Sequence, residues 1–224
     1  KAIGTTLGAD NGIGVDEIMA LLSSKDISHP SLEAMFTIDE ETGMTGAKEL
    51  EGANFSGKIL LNLDTEDDDE LSIGCAGGID TNTSFNYQEV ELKEGYECME
   101  VTIRGLLGGH SGMDIHLGRG NANKLLNRFL YHIHSLGDFQ LVSFDGGSLR
   151  NAIPREAKAI VALEKDQKEW LKQELSGFLA VLKNEYASIE PQFTMEVTEV
   201  DRVGRAVHEN DVNKLLNTIY SVHN

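Results

Sequence analysis

The order of apolar patterns between residues 98 and 200 leaves this chain few ways to fold. Residues 98–103 read as a strand. Residues 121–136 place Ala122, Leu125, Leu126, Phe129 and Ile133 at helical spacing, which makes one buried helix face. Residues 139–144 form a second strand closed by Gly146-Gly147, and residues 157–163 a third. Residues 167–186 repeat the helical pattern, with Leu171, Leu175, Phe178, Leu182 and Tyr186 inward. A fourth strand covers 193–200. The order β-α-β-β-α-β is the split-βαβ, ferredoxin-like arrangement of four strands backed by two helices. A helix over 211–222 follows, and its Leu215, Leu216 and Ile219 need a surface to pack on.

The first part of the chain is patterned differently. Two apolar runs, 34–38 and 59–63, stop abruptly at acids: Asp39-Glu40-Glu41 after the first and Asp64 after the second. Such runs read as buried strands that deliver charge to the end of a sheet. The segment between them includes a short helix at 44–50 and is long enough for a parallel βαβ crossover. Upstream, Leu7-Gly8-Ala9-Asp10-Asn11-Gly12-Ile13-Gly14 is a Gly-rich turn entering a helix at 15–23, with Asp10 or Asn11 as its cap. The turn lacks the spacing of a nucleotide loop. Sites in open α/β sheets form beyond the carboxyl ends of strands. Asp10, Glu40, Glu41 and Asp64 are therefore expected to converge. Adjacent Glu40 and Glu41 are a pair in which one group binds a metal while the other moves protons, and the residues alone leave either role to either Glu. Further strands are expected at 71–75 and 81–92. Lys93-Glu94-Gly95 is the expected boundary, dividing the chain into residues 1–93 and 94–224.

A formal charge of −18 argues against nucleic acid as a partner. No apolar run approaches the ~20 residues of a membrane helix, so no membrane partner is expected. Two cysteines are too few for a disulfide framework and read as reduced, which with the absence of a signal-peptide pattern points to the cytoplasm. The run from Asp64 to Glu70 has no Gly at its sixth position and Cys75 at its twelfth, which excludes an EF-hand loop. The first residue is Lys1 rather than Met, which suggests a piece of a longer chain.

A second polar constellation, Leu107-Gly108-Gly109-His110-Ser111-Gly112-Met113, lies between the first strand and helix of the second half. Met113 occupies the place where a serine-hydrolase elbow needs Gly. The glycines instead make a tight loop that presents His110 to a ligand or packs it as an ordinary loop residue. In Leu149-Arg150-Asn151-Ala152, Arg150 either grips a carboxylate bidentately or is the exposed residue of a hairpin turn.

Taken together, Thr6 to Gly14, Glu40-Glu41-Thr42-Gly43-Met44, Leu61-Asn62-Leu63-Asp64-Thr65-Glu66 and Gly108-Gly109-His110-Ser111-Gly112 resemble the two-metal zinc aminopeptidase and dipeptidase family that includes carboxypeptidase G and aminoacylase. Ile73 to Asp80, Gly120 to Leu126 and Leu149 to Arg155 resemble its Xaa-His dipeptidase branch. The resemblance implies an α/β fold: part of a zinc-peptidase catalytic domain over 1–93, then a split-βαβ (ferredoxin-like) lid and dimerisation domain over 94–224, cut short at its C-terminal end. It implies that Asp10 bridges two metals, that Glu41 and Asp64 are terminal ligands, and that Glu40 is the general base for a metal-held water. It places His110 in the lid as a group that polarises the scissile carbonyl, with Asn121 and Arg150 as substrate contacts.

The implied cofactors are two divalent ions, zinc with cobalt or manganese as alternatives. The implied substrate is a small peptide of Xaa-His type, and the implied assembly a homodimer at full length. The family also uses a His-x-Asp segment before Asp10 and a late histidine, neither of which this chain contains. The expectation is therefore a fragment that is inactive alone. Asp16-Glu17 puts charge where relatives carry small residues. Competing expectations are an acylamino-acid hydrolase or tripeptidase on the same scaffold, and a non-catalytic interaction module.

Overall fold

A computed structural model describes residues 10–65, 69–75, 77–202 and 204–223. Thr6–Ala9 of the Gly-rich turn and Glu66–Asp68 of the acidic run lie outside the described residues. The chain divides into two compact units, Lys1–Gly77 and Gly78–Asn224.

The first unit holds helix α1 (Gly12–Ser23) and two single turns, α2 (Glu40–Gly43) and α3 (Thr45–Lys48). α1 begins where expected because Asn11 Oδ1 accepts the Gly14 N–H at 2.9 Å. The strands expected at 34–38, 59–63 and 71–75 do not form among the described residues. An apolar run becomes a strand only when a neighbour takes up its backbone N–H and C=O groups. These runs stay unpaired, with Ile59 86%, Leu61 77% and Ile73 100% exposed. Side chains tie the segments together instead. Glu33 accepts N–H bonds from Ser56 and Gly57 and the Ser56 hydroxyl, and Asn11 Nδ2 donates to Leu63 O at 2.8 Å.

The second unit runs β1 (Glu89–Val90), β2 (Tyr96–Arg104), β3 (Gly109–His110), α4 (Ala122–His134), β4 (Gln140–Gly146), β5 (Ala152–Ile153), β6 (Ala157–Glu164), α5 (Lys168–Glu185), β7 (Thr194–Val200), β8 (Ala206–Val207) and α6 (Glu209–Ser221). A four-stranded antiparallel sheet has the order β4-β6-β2-β7. With α4 and α5 inserted between its strands, this is the expected split-βαβ arrangement. The period-2 alternation of strands sorts the side chains. Met99, Val101 and Ile103 of β2 join Ala157, Ala159, Val161 and Leu163 of β6 in the main core with α4 and α5. Tyr96, Cys98 and Ala162 face the other side and pack with Leu92 and Ala206.

Ala122, Leu125, Leu126, Phe129 and Ile133 are all buried, as the helical stripe predicts. α6 finds the surface it needs on α4. Val212 and Leu216 are buried there, Asn127 Nδ2 donates to Leu216 O, and Lys124 Nζ donates to the carbonyls of Ile219 and Tyr220 at the end of α6. Of the strand expected at 81–92, only β1 forms, paired with β8. Gln88 and Lys93 are also bonded to this unit, through Asp211 and Gln140, so residues 78–93 pack with the second unit.

Candidate active site

The acidic pair stands on a small, specifically built turn. Asp39 and Met44 have φ of 60° and 59°, so left-handed residues bracket Glu40–Gly43 on both sides. Asp tolerates this region; for Met it is a strained conformation of the kind that gathers at functional positions. The Asp39 carboxylate accepts the Thr42 and Thr45 hydroxyls, and these bonds, Thr42 first, hold its pKa below the ordinary aspartate value. Gly46 N–H donates to Ile38 O, and a Cβ on Gly46 would stand 2.8 Å from Ile38 N, so only glycine allows the chain to fold back here. Glu40 and Glu41 occupy the first turn of α2, exposed, where acids complement the free N–H groups.

Asp10 is exposed at the entry to α1, joined to Asn11 by a cis peptide bond. Asp64 is exposed in an extended segment, and its N–H donates to Asn62 Oδ1 at 3.1 Å. The Asn11–Leu63 bond therefore links the neighbours of Asp10 and Asp64. Even so, among the described residues no group of three or more His, Cys, Asp or Glu side chains is placed to hold a metal ion. The convergence of Asp10, Glu41 and Asp64 expected from strand ends is not formed, because the sheet that would align those ends is absent from the described residues. The three are also all oxygen donors, whereas zinc sites draw mainly on nitrogen and sulfur. They do not fit a complete zinc site by themselves.

His110 sits at the end of β3, exposed, with β3 paired to β5. Its Nδ1 accepts the N–H of Gly112 at 3.0 Å and of Met113 at 3.1 Å. An Nδ1 that accepts two N–H bonds carries the lone pair, so the ring proton is on Nε2, which is left as a donor. The rest of the loop is fastened around this ring. His110 N–H donates to Asp114 Oδ2 at 2.8 Å, Asp114 pairs with Arg119 at 3.2 Å, and Arg119 Nη1 donates to Gly108 O at 2.7 Å. Ser111 N–H donates to Asn151 O at 2.8 Å. Gly109 has φ of 140°, and a Cβ there would lie 2.3 Å from Arg119 Nη1. Asp114 and Arg119 were not singled out from the sequence, and nothing short of the folded loop signals their roles.

Asn121 is the N-cap of α4: its Oδ1 accepts N–H bonds from Asn123 and Lys124. Its position just before a helical stripe is the sequence signal for that role. Arg150 is exposed in a turn and pairs with Asp80 at 3.1 Å. Asp10, Glu40, Glu41 and Asp64 thus belong to the first unit, and His110, Asn121 and Arg150 to the second.

Residues 101–190 match the peptidase dimerisation domain. The chain is 45% identical over 201 residues to the cytosol non-specific dipeptidase of Escherichia coli, covering 89% of this chain and 41% of that protein. The crystal structure of aminoacylhistidine dipeptidase from Vibrio alginolyticus superposes with a TM-score of 0.73 at 44% identity, covering 99% of this chain and 45% of that one. The chain spans less than half the length of either relative.

Proposed function

We propose that this chain, whose residues 101–190 match the peptidase dimerisation domain, is a piece of a metal-dependent dipeptidase that prefers Xaa-His substrates, and supplies part of its catalytic apparatus and most of its lid. The likeness to the aminoacylhistidine dipeptidase of Vibrio alginolyticus, at 44% identity and a TM-score of 0.73, carries this reading, and the 45% identity to the non-specific dipeptidase of Escherichia coli supports dipeptide hydrolysis in general. On this reading the border between catalytic and lid sequence falls near residue 93, just ahead of β2, and residues 78–93 are catalytic-domain sequence that packs with the second unit.

Glu40 is the general base. It takes a proton from the attacking water at its carboxylate and passes it to the leaving amine nitrogen. It stands on an exposed turn beside Glu41, which suits a base next to a ligand. His110 Nε2–H donates to the oxygen that gains charge as the amide carbonyl becomes tetrahedral. The two N–H bonds that Nδ1 accepts keep the ring proton on Nε2 without a carboxylate partner. Arg150 exchanges Asp80 for the carboxylate of the peptide, and Asn121, whose Oδ1 is engaged as a cap, offers its Nδ2 group to a substrate oxygen. Asp10, Glu41 and Asp64 are a partial ligand set for two divalent ions, zinc by the family resemblance, completed by residues other than those described. Such ions, when bound, supply positive charge at the reacting carbonyl. The reading includes a homodimer formed through the domain at 101–190 and a cytoplasmic location. Among the described residues no helix is long and apolar enough to cross a membrane.

The test uses the whole protein and a panel of Xaa-His dipeptides, other dipeptides, tripeptides and N-acyl amino acids. Glu40→Gln is expected to lower kcat by ~10²–10⁴-fold with bound metal retained. Asp10→Ala and Asp64→Ala are expected to lose metal. Full activity in Glu40→Gln would remove its role. Preference for N-acyl amino acids or tripeptides would move the enzyme to another branch, and the absence of both metal and hydrolysis would favour an interaction module.

A further inference from the structure

We propose that Glu190 is the positioning residue for His110, anchoring both ends of the loop that presents the imidazole; this rests on the catalytic reading of His110. Glu190 lies just after α5 and is only 2% exposed. Its Oε2 accepts the Leu107 N–H at 2.8 Å, and its Oε1 accepts the Gly120 N–H at 2.9 Å. Those two amides stand at the two ends of the loop. The backbone of Glu190 is itself held, because its N–H donates to Tyr186 O at 2.8 Å.

A path of bonds then leads from the buried carboxylate to the ring. Leu107 precedes Gly108, whose carbonyl accepts from Arg119; Arg119 precedes Gly120 and pairs with Asp114; Asp114 accepts the His110 N–H. A displacement of either anchored end therefore moves Gly108 or Arg119, then Asp114, then the imidazole. Burying a carboxylate is unfavourable unless its oxygens are fully bonded. Here both oxygens are used on loop amides 83 and 70 residues away in sequence. No neutral side chain reproduces this arrangement. Gln at 190 keeps one acceptor oxygen but sets its NH₂ group against the other amide N–H, donor facing donor.

The experiment is a double-mutant cycle in the whole protein between Glu190→Gln and His110→Ala, reading kcat and KM on an Xaa-His dipeptide. Amide exchange at residues 107–120 is measured alongside that of β2 and β6. Glu190→Gln is expected to lower kcat between ~10- and ~100-fold, the scale of a misplaced catalytic group, with little change in KM. Loop amides should lose protection while β2 and β6 keep theirs. In the His110→Ala background Glu190→Gln should have no further effect on kcat. An equal drop in both backgrounds, or an unchanged kcat in Glu190→Gln, overturns the proposal. Wild-type kcat in His110→Ala alone overturns the catalytic reading of His110, and the proposal with it. Should Glu190→Gln not accumulate as folded protein, Glu190→Asp, which keeps the charge but shortens the reach to the Leu107 and Gly120 amides, gives the same comparison with the same overturning outcomes.

Discussion

The two units of this chain use similar proportions of apolar sequence to opposite effect. In the second, the helical stripes of α4 and α5 close over β2 and β6, and Phe129, Val101, Val161 and Leu126 reach 0% exposure. In the first, Gly14 is the one buried residue among those described, although the runs at 34–38 and 59–63 are as apolar as many strands. The difference is one of completeness. The second unit contains every strand that its sheet needs, so each apolar face meets another within the same stretch of chain. The first has candidate strands and, among the described residues, no ladder to take up their backbone groups. The residues assigned to metal and base stand in the incomplete unit, and the group assigned to the oxyanion in the complete one.

The strongest way to break this comparison is to remove a large side chain from each unit. Phe129→Ala should destabilise the second unit by about 3–5 kcal/mol, the range for emptying a packed aromatic site. Ile59→Ala should change the first unit by no more than about 0.5 kcal/mol, because an exposed side chain leaves no cavity. Amide exchange resolved by segment reads each unit through its own amides. A loss of protection in residues 10–65 on Ile59→Ala comparable to that of β2 on Phe129→Ala would mean that the first unit has a core of its own.

How much of this was legible in the sequence divides along the same line. The β-α-β-β-α-β order and the buried face of α4 follow from local periodicity, since every partner of that stripe lies in the same unit. The capping role of Asn121 is legible as well, because an Asn before an apolar-periodic run signals an N-cap. The acids Asp39, Glu40 and Glu41 stood out, yet the turn that holds them was not foreseen. It depends on side-chain bonds from Asp39 to Thr42 and Thr45 and on the close approach of Gly46 to Ile38. Glu33 and Glu190 were invisible for a simpler reason. Each acts on backbone amides far away in sequence, Glu190 on Leu107 and Gly120 and Glu33 on Ser56 and Gly57, and nothing local marks a carboxylate for that task.

A smaller effect sharpens the reading of Asn121. Asn121→Ala should cost about 1 kcal/mol through loss of the cap. Asn121→Asp keeps an acceptor for the Asn123 and Lys124 N–H groups and removes only the NH₂ group. If Asn121 also meets substrate, Asn121→Asp should leave thermal stability near wild type while raising KM. An unchanged KM in Asn121→Asp, with the stability loss confined to Asn121→Ala, would leave it a helix cap alone.

The smallest expected effect concerns pH and sets one carboxylate of each unit against the other. Asp211, at the start of α6, accepts the Gln88 N–H at 2.9 Å and pairs with Lys214 at 2.9 Å. The Gln88 bond first, then Lys214, holds its pKa below the ordinary aspartate value. A group whose pKa is depressed on folding adds stability above its unfolded pKa of about 3.9 and loses it as pH falls through the lower folded value. Asp211→Asn should therefore be less stable than wild type at neutral pH, and the gap should close below about pH 4, read by denaturant unfolding of the second unit. Asp39 is depressed in the same direction by Thr42 and Thr45, but it is exposed, in a unit whose one buried residue among those described is Gly14. Asp39→Asn should alter amide exchange around residues 39–46 and leave the acid limb of the second unit unchanged. Superimposable acid limbs for wild type and Asp211→Asn would show that the ionised form of Asp211 adds no stability to the second unit. A shift in that limb on Asp39→Asn would show that the two units do not unfold independently.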